Sequence, residues 1–156
     1  RTLTDLSLAQ MDEQSIRLYA MSTAILNKRK SYYEILEQTQ KNDSDITDWL
    51  VWFLDTLNDS LEKTLAQISR TLFKSQFWHK YSNLALSEEQ RKVLNRLLDG
   101  GENGFEHGIS ASQYQKVAKT SKATATRHLS DLLEKECLVK LEGGGRNTRY
   151  QINTQL

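Results

Sequence analysis

Residues 121–150 read SKATATRHLSDLLEKECLVKLEGGGRNTRY. Ser121 opens a helical pattern in which Ala125, Leu129, Leu132 and Leu133 fall on one side. Serine suits that place because its hydroxyl accepts a first-turn amide left without a partner. Leu138 to Glu142 then alternates as a strand. Three glycines at 143–145, with Arg146 and Asn147, make a tip, and 148–153 returns as a second strand. The order is helix, strand, tip, strand.

Going N-terminally, Ser87-Glu-Glu-Gln90 is a capping box, with serine at the N-cap and glutamine three residues on. It predicts a helix whose inward face carries Val93, Leu94, Leu97 and Leu98. The Gly-rich stretch at 99–108 ends that helix. Ser110 or Ser112 caps the next one, with Tyr114, Val117 and Ala118 inward, and 119–121 is the turn into the helix at 122. Together these elements predict a winged helix-turn-helix over 85–156 with a two- or three-stranded β-wing, a unit that usually lays one helix in a DNA major groove. The outward face of that helix carries Lys122, Thr124, Thr126, Arg127 and Ser130. Short side chains near its start permit close approach, and Arg127 has the donors for a guanine edge or a phosphate. Ser121, Lys122, Thr124, Thr126, Arg127, Arg146, Asn147 and Arg149 are therefore the candidate recognition residues, with DNA or a protein as the partner.

Residues 1–84 read as an all-helical domain. The chain has no proline, and its seven glycines lie between 100 and 145, so helix breakers are absent from the first hundred residues. Leu3, Leu6 and Met11 predict a helix over about 1–10, and Asp12 or Ser15 caps a second. Apolar residues from Ile16 to Leu36 carry helical rhythm to about Gln40, with a basic run at 27–30 read as a solvated face. After a polar loop at 41–45, Ile46, Trp49, Leu50, Phe53, Leu54, Leu57, Leu61, Leu65, Ile68, Leu72 and Phe77 recur at helical spacing. The pattern admits one long helix or a break near Ser75. The aromatic residues follow the apolar stripe without interleaved Lys/Arg and read as core and interface rather than a base-stacking set. The apolar face at 46–65 is long enough to serve a partner chain as well.

Net charge over the whole chain is only +1. Between 110 and 156, however, eight Lys/Arg stand against four Asp/Glu, so positive charge collects on the half expected to bind DNA. A single cysteine fits a reducing, cytoplasmic compartment, and no apolar run is long enough for a membrane span. His79, His107 and His128 lack metal-ligand spacing. The glycines at 143–145 lack the helix and Lys-Ser/Thr pair of a phosphate loop. Cys137 follows Glu136, whose carboxylate raises a thiol pKa rather than lowering it. No catalytic residue, metal ligand or cofactor is expected within these residues.

Three stretches carry a resemblance: RTLTDLSLAQ at 1–10; Ser22 through RKSYYEILEQTQ at 29–40 to DITDWLVWFL at 45–54; and FWHKYSNLALSEEQRKVLNRLLDGG at 77–101 with SKATATRHLSDLL and GGGRNTRYQI. In this order they resemble the C-terminal half of a bacterial Fic-family protein that ends in a winged helix. The resemblance implies a parent that transfers AMP from ATP to a protein hydroxyl with Mg²⁺, using an HPFxDGNGRxxR loop. Arg1 matches the last arginine of that loop, and the chain opens in uncapped helical rhythm, which reads as a cut just after the active site. Arg1 is then the one candidate remnant of the phosphate anchor, and the fragment is expected not to catalyse. The family's inhibitory [ST]xxxE[GN] motif is absent, and Cys137 stands where related winged helices commonly place glycine. Two other readings stay open: a freestanding transcriptional regulator in which 1–84 forms a homodimer, and a pure protein-interaction module.

Overall fold

The structure, a computed structural model, describes residues 10, 21–41, 45–100, 105, 107–142 and 148–155. The expected helix at 1–10 (Gln10 apart), the caps Asp12 and Ser15, the turn at 101–104 and the tip at 143–147 lie outside them. So do Arg1, Arg146 and Asn147. Among the described residues the chain is mainly helical, with six helices and a small antiparallel sheet. It divides into two compact units, 1–68 and 69–156.

The first unit contains α1 (Met21–Asn27), α2 (Arg29–Lys41) and the beginning of α3 (Thr47–Lys80). The helical rhythm through 21–40 is interrupted at Lys28. Its amide is shared between the carbonyls of Ala24 at 3.2 Å and Ile25 at 3.1 Å. Its ammonium turns inward to pair with Asp59 on α3, so this member of the basic run at 27–30 is not simply solvated. Asp45 opens α3 by accepting the Thr47 amide at 2.9 Å, and that hydrogen bonding holds its carboxyl below the usual range.

α3 runs for 34 residues without a break at Ser75, about 50 Å at 1.5 Å per residue. Within the first unit it buries an unexpected side. Thr56 and Ser60 are almost wholly enclosed, at 0% and 6% exposure. Trp49 stacks on Phe53 with ring centroids 5.3 Å apart, and Trp52 donates its indole N–H to Ser31 Oγ at 3.1 Å. Leu54 and Leu65, by contrast, are 59% and 63% exposed.

The second unit begins in α3 itself. Phe77 and Tyr81 are buried together with Val93, Leu94 and Leu98 of α4 (Glu88–Asp99) and with Tyr114 and Ala118 of α5 (Ala111–Ala118). Ala125, Leu129 and Leu132 of α6 (Lys122–Glu134) complete the helical part of this core. Both expected capping serines hold: Ser87 makes a complete box with Gln90, and Ser121 accepts the Thr124 amide. Of the two serines before α5, Ser110 is the cap, because Gln113 stands at its third position and closes a second box.

β1 (Leu138–Lys140) pairs antiparallel with β2 (Tyr150–Ile152), Leu138 opposite Ile152 and Lys140 opposite Tyr150. On the other edge of β2, Ile109 and Tyr150 exchange backbone hydrogen bonds at 2.8 and 2.9 Å as an isolated bridge. Gly108 makes that bridge possible. Its φ is +74°, and a Cβ there would stand 2.7 Å from the Tyr150 carbonyl oxygen. Gly108→Ala should therefore cost about 1–3 kcal/mol, read as a lower urea midpoint; an unchanged midpoint would show that this approach does not constrain the fold.

Candidate functional site

α6 has two chemically distinct sides. Ala125, Leu129 and Leu132 are buried, and the core fixes the rotation of the helix through them. Lys122, Ala123, Thr126, Arg127 and Ser130 are exposed, while Thr124 is half-buried. The first turn is braced from within: Thr124 Oγ1 lies 3.0 Å from the Ser121 hydroxyl, and Thr126 donates back to the Lys122 carbonyl at 3.1 Å. Among the described residues neither Lys122 nor Arg127 has an ion-pair partner. Other cations of the same unit are committed: Lys74 to Asp99, and Lys135 to Asp131.

The exposed side of α6 thus carries Lys122 and Arg127 with hydroxyl groups between them, and the partly exposed Asp131, one turn beyond Arg127, is held by Gln90 and Lys135. Residues 69–156 carry fourteen Lys/Arg against nine Asp/Glu, and residues 1–68 carry seven against eleven. The second unit is therefore net +5 and the first net −4. Two further cations lie near α6 in the chain and went unnoticed in the sequence. Lys119 is the C-cap of α5, exposed and in the left-handed region at φ 55°. Lys140 is exposed at the end of β1. Lys119 is hard to foresee, since a lysine in that conformation is the less common choice at a helix end.

Arg149 is exposed as a whole, and its Nη1 donates to the Gly108 carbonyl at 3.0 Å. Part of its guanidinium braces the loop that feeds α5. His128 is half-buried, with Nδ1 3.0 Å from the Tyr114 hydroxyl. Burial pushes the Tyr114 phenol well above its ordinary range, so it stays protonated. The far end of α6 is tied to α4: Gln90, itself buried, donates to Asp131 Oδ2 at 2.6 Å, and Lys135 meets the same oxygen at 2.7 Å. The helix ends at Glu134, and in the turn after it Glu136 has a φ of +56°. The left-handed residue of this turn thus precedes Cys137.

Cys137 is fully buried in the core. Burial, not the neighbouring Glu136 carboxylate, is the main reason its thiol is pushed up to about 11; Asp131 adds to the shift and Lys135 opposes it. Among the described residues no group of three His, Cys, Asp or Glu side chains is placed to hold a metal ion. Nor is any helix among them long and apolar enough to cross a membrane. In comparisons with known proteins, no family model matches the chain and no curated protein does either.

Two expectations follow from this chemistry. Asp131 has a folded pKa below its ordinary value, chiefly through Lys135 and then Gln90. Its contribution to stability is present above the unfolded pKa of about 4 and disappears as pH falls through the lower folded value. Asp131→Asn should lower the urea midpoint at neutral pH, and the gap to the parent chain should close on acidification; a gap independent of pH would refute the assignment. For Cys137, only about 0.1% of thiol is ionised at pH 8 if its pKa is near 11. A chromogenic disulfide reagent should react with the native chain far more slowly than with the chain unfolded in guanidinium, and equal rates would contradict the burial.

Proposed function

We infer that residues 69–156 act as a winged helix-turn-helix that binds duplex DNA, with α6 as the helix that enters the major groove. The observation that carries this reading is the exposed side of α6. It offers Lys122 and Arg127 without ion-pair partners among the described residues, small hydroxyl groups between them, and a core on the other side that holds the helix still. The order of elements supports it: α4, the Ile109 bridge, α5, α6, β1, β2. The net positive charge of this unit supports it too, because cations that neutralise phosphates release counterions and supply most non-specific affinity. Arg149 belongs to the proposed set together with its near neighbours in the sequence, Arg146 and Asn147, and already holds Gly108 by one of its donors.

The relationship to Fic-type nucleotidyltransferases is a separate proposal and rests on the sequence resemblance. ATP and Mg²⁺ would belong to an HPFxDGNGR-type loop. Of that pattern this chain holds Arg1 alone, so none of its own described residues is assigned a step of AMP transfer. A coding sequence that lacks such a loop upstream of Arg1 would remove the parentage and leave the DNA reading intact.

Fluorescence anisotropy with mixed-sequence duplex DNA is the direct test. At low salt the expected Kd is about 1 μM or weaker. Lys122→Ala with Arg127→Ala should weaken binding by about tenfold and reduce the slope of log K against log salt by roughly 2. Circular dichroism controls for folding, since both side chains are exposed. No binding to duplex DNA at low salt would sink the reading in favour of protein recognition by the same surface.

A further inference from the structure

A cavity of about 150 Å³ lies within the first unit, between α1 and α3. Thr23 and Asn27 line it from α1, and Asp59, Ser60 and Lys63 from α3. Lys28 lines it too, so the ion pair of Lys28 with Asp59 stands in its wall. Ser60 is only 6% exposed, and its carbonyl accepts from Thr64 at 2.8 Å. Among the described residues its hydroxyl has no hydrogen-bond partner. One turn back on the same side of the helix, the fully enclosed Thr56 also has an unpaired hydroxyl. Buried polar groups are ordinarily paired, so an unpaired hydroxyl bordering a cavity points to something polar that fills it.

The charge of the wall says what that is. Among its described residues two ammoniums, Lys28 and Lys63, stand against one carboxylate, Asp59. Asp59 is committed: the hydrogen bond from Lys28 and the charge of that ammonium hold its carboxyl below the usual range, and Lys63 adds a smaller part. Lys28 gives Asp59 one of its three donors. Lys63 is exposed and has no ion-pair partner among the described residues. The cavity therefore offers surplus positive charge, together with hydroxyl and amide donors on two facing walls. None of the described residues lining it is an arginine, so the planar fork that suits a carboxylate is missing, whereas point ammoniums and hydroxyls from several directions suit a tetrahedral oxyanion. Its volume fits a molecule of about six heavy atoms, while nucleotides and coenzymes need about 300 Å³ or more.

We propose that the cavity between α1 and α3 binds a phosphate group, free or as the head of a small phosphomonoester, with Lys63 and Lys28 supplying charge and Ser60 a buried hydroxyl donor. This inference is independent of DNA binding, since none of its residues lies on α6.

Calorimetric titration of the whole chain with inorganic phosphate at neutral pH tests it, with ionic strength held constant by chloride. Saturable binding with a Kd of about 1 mM or tighter is expected. Ser60→Ala, which hardly changes volume, and Lys63→Gln, at an exposed position, should each weaken it by about fivefold or more. Asp59→Asn releases Lys28 and removes the opposing charge, and should tighten it. Lys122→Ala with Arg127→Ala should leave it unchanged, which separates the cavity from any phosphate affinity of α6. Glycerol phosphate distinguishes the two sources: weaker binding than phosphate identifies the free ion, and equal or tighter binding identifies the head of a monoester. The proposal is overturned if phosphate does not bind by about 10 mM, because the cavity then holds water alone. It is also overturned if acetate binds as tightly as phosphate, or if Ser60→Ala and Lys63→Gln change nothing.

Discussion

The second unit depends on the burial of one aromatic side chain, Phe77, between elements far apart in the chain. It is fully enclosed, its ring lies 4.6 Å from that of Tyr81, and it meets Trp78 edge-on. Removing a core phenylalanine typically costs about 3–5 kcal/mol, a large share of the stability of a small domain. Tyr81 then reaches across the unit and donates its hydroxyl to the Glu136 carbonyl at 2.8 Å, where α6 turns into β1. The last turns of α3 are therefore part of the body that carries α6, and a boundary placed after the helix would cut through this core.

Within that body, α6 is held by three kinds of force at once. Leu129 and Leu132 bury apolar area, the Ser121 hydroxyl satisfies a first-turn amide, and Asp131 meets both Gln90 of α4 and Lys135 at the end of its own helix. Each acts on a different part of the helix. The exposed cations are consequently presented on a rigid support, which limits the entropy lost when they engage a partner.

Local signals were legible in the sequence because their partners are close by. The box at Ser87 needs only the glutamine three residues later, and the inward sets of α4 and α6 follow from spacing alone. What depended on distant partners was not legible. The interruption at Lys28 reflects Asp59, thirty-one residues away. The role of Arg149 reflects Gly108, forty-one residues away. On α3, periodicity groups Leu50, Leu54, Leu61 and Leu65 on one side but does not say which side a neighbour covers. The covered side is that of Thr56 and Ser60. The cation set of α6 was visible, yet which cations stay uncommitted emerged only from the ion pairs around them.

The contact between Tyr114 and His128 has a consequence for what α6 presents to its surroundings. The phenol keeps its proton, so it can donate to Nδ1 of a neutral imidazole. The same hydroxyl can instead accept from an Nδ1–H, so in either tautomer Nδ1 is engaged with the core and Nε2 holds the role that Nδ1 does not. The core residue of α5 thereby leaves a side chain on the neighbouring helix a single ring nitrogen with which to meet its surroundings.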